Sequence, residues 1–238
     1  MTRLRTCALA LVALLMPGSI PADTWSIAAP VPGSLAFARY IASIHRRDPF
    51  REPGVAVMIE ASLPGLHKES RLLAIRDTDE SERSEYTVLE SQGDGVVTEE
   101  VIAPYLAEEK EVEGLPLSSV TVTPANYKFH FVAETGTAGA SAVVFQIVPK
   151  KAREGLIRGE VWIDSATGVA VMQAGRFVKT TSAGILRIEM VRDTKLQDGS
   201  PSSRVTRVAV ETRHVGRGYL TITEFPAAGT GRAASAGE

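Results

Sequence analysis

From residue 118 onward the chain alternates apolar and polar positions in short runs, each closed by glycine or aspartate turns. Phe129 and Phe131 alternate with Lys128 and His130, and Leu186, Ile188 and Met190 with Arg187 and Glu189. Val208 and Val210 alternate with Arg207 and Glu211, and Leu220 and Ile222 with Thr221 and Thr223. A period of two sends successive side chains to opposite faces, so these runs predict strands with one dry face and one wet face. They fall at 127–134, 141–149, 156–164, 168–178, 184–193, 204–213 and 218–225. Connections such as Glu134-Thr135-Gly136 and Gln197-Asp198-Gly199 leave no room for a crossover helix. Consecutive strands are therefore antiparallel neighbours in a meander.

The first half reads differently. Leu35, Phe37, Ala38, Ile41, Ala42 and Ile44 fall largely on one helical face, with Ser34 as the expected N-cap. Pro49 disfavours helix in the residue before it, so this helix is expected to stop near Asp48. Strands are predicted at 55–61 and 72–76, joined by Pro64-Gly65, and at 86–90 after the charged loop 77–85. A second amphipathic helix is predicted at 99–113, with Val101, Ile102, Tyr105 and Leu106 apolar. Its closing acidic run, 108–113, opposes the helix dipole and predicts fraying there. A large sheet with one dry face must cover it, and these two helices are the available cover. The predicted class is thus α+β.

The N-terminus changes where this fold is expected to work. Arg3 and Arg5, an apolar run from Ala8 to Met16 and small residues up to Ala22 make a secretory signal peptide over 1–22. The run is too short to span a bilayer, which needs about 20 residues. Cys7, the single cysteine, lies too early for a lipoprotein cleavage site. The mature chain is then expected to lack disulfides, thiolate chemistry and cysteine-held metals. It should be periplasmic or secreted, with no transmembrane segment. A linker follows at 23–33, and 226–238, rich in Ala and Gly, is expected to be a disordered tail. Without Arg3 and Arg5 the chain holds 24 basic against 28 acidic residues, a net charge of −4. That balance offers no footprint for nucleic acid and disfavours strongly anionic membrane surfaces.

Candidate chemistry is sparse. His45, His67, His130 and His214 are isolated in sequence, and a zinc site needs several converging ligands. No Gly-x-Ser-x-Gly elbow is present. The run Gly136 to Ser141 lacks the lysine and following helix of a phosphate loop. A calcium loop beginning at Asp77 fails at Glu82 and Val88. Glu160 and Asp164 flank Trp162 on one strand face, where a general acid or base would need burial. Pro149-Lys150-Lys151-Ala152-Arg153 is a basic turn able to meet lipid head groups, although such clusters are commonly just solvated. No catalytic residue, metal or cofactor is assigned, and the chain is expected not to be an enzyme.

Tyr127-Lys128-Phe129, the strand ending Val148-Pro149-Lys150-Lys151, Gly159-Glu160-Val161-Trp162-Ile163-Asp164, Thr167-Gly168 and Gly218-Tyr219-Leu220 follow one another in a familiar order. It resembles the outer-membrane lipoprotein-sorting superfamily, the LolA/LolB-like carriers. The resemblance implies a curved, mostly antiparallel open sheet, a half-barrel, with helices covering its concave face and a cavity for acyl chains. One such domain would span 23–225, with a helix-strand part at 34–113 and the meander at 118–225. The expected ligand-binding lining is Phe129, Phe131, Phe145, Ile147, Val161, Ile163, Leu186, Ile188 and Met190, and the same residues also read as ordinary core. The expected function is a monomeric carrier or binder of a lipid, lipoprotein acyl chain or other hydrophobic ligand. The alternative is a non-catalytic module that binds or senses other envelope proteins.

Overall fold

Strand alternation carries most of the architecture. In the computed structural model, ten strands form a single sheet: β1 (Val55–Leu63), β2 (Lys68–Thr78), β3 (Ser84–Gly93), β4 (Tyr127–Thr137), β5 (Ala140–Pro149), β6 (Ile157–Asp164), β7 (Ala170–Phe177), β8 (Ile185–Gln197), β9 (Ser200–Thr212) and β10 (Gly216–Phe225). The described residues are 33–46, 48–78, 83–137, 140–182 and 184–227, all within one unit, Val31–Glu238. The expected signal peptide, all of the linker but Gly33, and the tail beyond 227 lie outside them.

The strand order is β3-β2-β1-β10-β9-β8-β7-β6-β5-β4, with every neighbouring pair antiparallel. The sheet is curved and open, as expected, with β3 and β4 at its edges. The predicted meander is β4 to β10. Joining the N-terminal strands to it is the long-range pairing of β1 with β10, in which Ile59 stands opposite Ile222 and Ala61 opposite Leu220. Residues 55, 57, 59, 61 and 63 of β1 are all buried, so its dry face continues that of the meander. Each Ile or Val taken out of water there contributes roughly 1.5–3 kcal/mol.

Helix α1 (Ser34–Ser43) covers β6 and the aromatic side chains of β4 and β5. Its N-cap is Gly33 in the left-handed conformation, and Ser34 is already helical and makes no capping bond. The helix ends at Ser43, short of Asp48. Asp48 instead caps a 3₁₀ turn, Pro49–Arg51, by accepting from the Phe50 N–H. Gly168, in the β6–β7 turn, has φ of 75°, and a Cβ there would lie 2.5 Å from the Arg39 carbonyl carbon. That glycine lets the backbone of α1 rest on the turn, where Ser43 Oγ donates to the Gly168 carbonyl (3.1 Å).

A second helix, α2, runs without a break through Gly95–Val97, a π turn at Thr98–Ile102, and Ala103–Glu113. Pro104 lacks the N–H that would bond four residues back, and its ring crowds that carbonyl. The wide π turn just before it accommodates both. Val97, Val101, Ile102 and Tyr105 of α2 are buried against β1, β2, β9 and β10. The acidic end that was expected to fray remains helical to Glu113, because its carboxylates have partners. Glu108 accepts from Thr181 and Ser182, and Glu113 from Ser84.

One of the alternation readings changes. Bulges interrupt the register between Phe131 and Ala133 and between Ile185 and Arg187. An extra residue reverses which face the next side chain meets. Leu186 is therefore 52% exposed while Ile185 is buried, whereas Phe131, ahead of its bulge and opposite Phe145, keeps the concave face and is 43% exposed on the edge strand β4.

Candidate functional site

The candidate site is the concave face between the sheet and its two helices. Its floor is apolar. Ile147, Val161, Ile163 and Ile188 are fully buried there, and Phe145 and Met190 nearly so. Phe129 is half-buried, its ring 4.9 Å from that of Phe37 in an edge-on arrangement. Seven of the nine residues expected to line a site thus face the helices, whereas Phe131 and Leu186 sit at its margin. Around α1, Phe37, Tyr40, Tyr127, Phe129, Phe131 and Phe145 form a chain of ring contacts. Tyr40 donates its hydroxyl proton to the Val122 carbonyl (2.7 Å). Burial raises the Tyr127 phenol to about 12, and its oxygen accepts from the Ile157 N–H (3.1 Å).

One end of the same face is charged, which alternation alone could have shown. Arg76 continues the dry positions Leu72 and Ala74, and Glu224 continues Leu220 and Ile222. Arg204 is paired with Glu224 across β9 and β10. Arg76 Nη2 lies 2.7 Å from Glu224 Oε1, both side chains almost wholly buried, and also donates to the Phe50 carbonyl. Burial alone would lower the Arg76 pKa, but Glu224 and the hydroxyl of Tyr86 hold it above its usual value. Arg204 reaches both oxygens of Asp48 (3.1 and 3.2 Å) and lies 4.1 Å over the Phe50 ring. Burial, with Arg192 beside it, pushes Arg204 down in spite of Asp48 and Glu224. Its buried Nε has no partner among the described residues.

Helix α2 closes this charged end. Burial raises the Glu109 carboxyl, opposed by Arg192 and by the hydroxyl of Tyr105, which donates to Glu109 at 3.0 Å. Burial with neighbouring Glu109 likewise keeps the Tyr86 phenol protonated well above its usual range. Tyr86, Leu106, Glu109 and Glu113 line a cleft of about 390 Å³ between α2 and edge strand β3, which reaches the charged network from the side.

Asp48 gives this end a pH dependence. Burial alone would raise its carboxyl, but Arg204, the Phe50 N–H and Arg51 more than offset this and hold it below its usual value. A depressed carboxylate stabilises the fold above its unfolded pKa, near 4, and that contribution is lost as pH falls through the folded value. Asp48→Asn should therefore flatten the acid limb of stability. Urea unfolding of the variant and the parent across the acid range checks this, the expected gap closing below the folded pKa.

The other polar candidates are structural. Asp164 accepts from the N–H and hydroxyl of Thr167 (2.7 and 2.6 Å), building the β6–β7 turn. Glu160 accepts from the Trp162 indole (3.3 Å). All four histidines are exposed, and no cluster of three or more His, Cys, Asp or Glu side chains fit for a metal occurs among the described residues. No described helix is long and apolar enough to cross a membrane.

No protein-family model matches the chain, and no curated protein matches it. Among solved structures it is similar to a LolA superfamily protein from Nitrosomonas europaea, at 10% identity and a TM-score of 0.33, over 81% of this chain and 94% of the other. A chain of the Pseudomonas aeruginosa MucA/MucB complex is similar at 13% identity and a TM-score of 0.25, over 82% and 94%. An outer membrane lipoprotein-sorting domain from Vibrio parahaemolyticus is similar at 11% identity and a TM-score of 0.32, over 80% and 89%.

Proposed function

We propose that this protein is a non-catalytic binder or carrier that takes a lipid, acyl chain or similar apolar ligand between its helices and the concave face, outside the cytoplasm. One observation carries the reading: α2 covers an apolar floor but is fastened at its margins by polar contacts. Glu108 accepts from Thr181 N (2.8 Å), Thr181 Oγ1 (2.6 Å) and Ser182 N (2.8 Å). Glu113 accepts from Ser84 Oγ (2.8 Å), and Thr98 Oγ1 lies 2.9 Å from Ser70 Oγ. Water can replace such bonds at a net cost of about 0.5–1.5 kcal/mol each. The ten-stranded floor stays intact meanwhile. An acyl chain entering beneath the helices would meet the apolar positions of β1, β9 and β10 under α2 and of β5 and β6 under α1, gaining about 0.8 kcal/mol per CH₂.

Glu108→Ala should loosen this cover. Loss of the acceptor removes bonds from Thr181 and Ser182 whose donors water can reach, at about 0.5–1.5 kcal/mol each. Hydrogen exchange of the α2 amides should accelerate in the variant while exchange in β8 and β9 stays slow. The reading itself is tested by native mass spectrometry and organic extraction of gently purified protein. A bound lipid at one per chain is expected. An empty protein that takes up no fluorescent fatty acid would sink the carrier reading.

A second reading, a module binding other envelope proteins, is favoured by edge strand β3. Its outer residues are exposed, Val88 and Leu89 among them, and an open edge accepts an added strand.

A further inference from the structure

The sheet face opposite the helices carries a concentration of cations that the ligand site does not use. Arg158 of β6 and Arg176 of β7 stand directly opposite one another, both exposed. Like charges so placed destabilise a sheet. Neither of them, nor Lys179, makes an ion pair or hydrogen bond among the described residues. The carboxylate opposite Arg176, that of Glu189, is already engaged by Arg187 and Arg217. Glu211 stands opposite those same two arginines. Arg158, Arg176, Lys179 and Arg187 line a cleft of about 440 Å³ together with Phe177 and Leu186. The bulge at the start of β8 turns Leu186 outward into it. Pro149 and Ala152 of the basic β5–β6 turn form its rim, and Lys151 between them is exposed.

We propose that this cleft docks the protein on an anionic phospholipid bilayer, with head-group phosphates meeting Arg158, Arg176 and Lys179 and Leu186 entering the interface. Unpaired cations beside an outward apolar side chain match a charged head group above hydrocarbon. A soluble anion would leave the outward Leu186 without a partner in the cleft. The chain's acidic balance does not oppose this, since screening confines charge effects to about 10 Å and the cleft is locally basic. The loop that lines it through Val178 and Thr180 continues to Thr181 and Ser182, which hold Glu108 of α2. Docking would therefore bring the bilayer against the segment that fastens the helical cover.

Flotation of the full chain with vesicles of phosphatidylglycerol mixed into phosphatidylcholine, against pure phosphatidylcholine, tests the proposal. Each cation near an anionic surface contributes roughly fivefold to affinity. Arg158→Gln with Arg176→Gln should thus weaken binding by about thirtyfold, and Leu186→Ser should weaken it further. Lys128→Gln, exposed on β4, should leave binding as it was. All variants retain residues 1–32, so any contribution of that segment is common to them. Removing a like-charge pair should not lower stability, which urea unfolding checks. Vesicles should also slow hydrogen exchange over 176–187. Equal binding to neutral vesicles, or a double variant that binds like the parent, would overturn the proposal. So would protection of the cleft by inorganic phosphate with no vesicle binding, which would assign it to a soluble anion.

Discussion

Glu224→Ala should lower the unfolding free energy by about 3–5 kcal/mol, the cost expected when one partner of a buried ion pair is removed. Glu224 lies on the dry face of β10 and is 4% exposed, with Arg76 Nη2 at 2.7 Å. The truncation leaves a guanidinium in a water-poor site with only the Phe50 carbonyl and the Tyr86 hydroxyl as direct partners. Glu224→Gln should cost less, because an amide oxygen still accepts from Arg76. Replacing both partners with apolar residues of similar size should recover most of the loss, since the pair's own attraction only roughly repays its desolvation. Urea unfolding of the two single variants and the double variant measures this directly. A cost below about 1 kcal/mol for Glu224→Ala, as for surface ion pairs, would contradict the buried network.

Phe145→Ala should cost about 3–5 kcal/mol, and Phe131→Ala about half of that. Phe145 is buried under α1 and meets Phe37, Phe129 and Phe131 at centroid distances of 5.2, 6.1 and 6.1 Å. Its truncation removes the centre of the aromatic cluster and opens a cavity beneath the helix. Phe131 shares only the contact with Phe145 among these rings, and 43% of its surface is already in water. Less transfer free energy is at stake there. Thermal or urea unfolding separates the two. Equal costs would mean that Phe131, on the edge strand, is buried as deeply as Phe145.

These contrasts show where alternation suffices and where it fails. The seven meander strands were legible because turn residues punctuate them and one face stays dry. Leu186 leaves the dry face because a bulge adds one residue without any break in the hydrophobic pattern, whereas Phe131 keeps that face but stands partly in water on an edge strand. The β1–β10 pairing has no local signal, since Val57 and Ile59 would alternate identically beside any partner. Arg76, Arg204 and Glu224 are a different case: their parity put them on the dry face, but charge made a wet position the natural reading. Ion pairing within the face removes that conflict. The acidic end of α2 was misjudged for a related reason. The helix dipole disfavours carboxylates there, yet donors from Thr181, Ser182 and Ser84 satisfy them.

The most direct test is photo-crosslinking with a diazirine-bearing fatty acid, followed by mass-spectrometric mapping of the adducts. A ligand held between the helices and the floor predicts adducts on concave residues such as Phe129, Phe145, Ile188 and Met190, competed away by unlabelled fatty acid. Adducts confined to exposed side chains such as Leu35, Val88 and Leu89, or insensitive to competition, would show that the dry face is core alone.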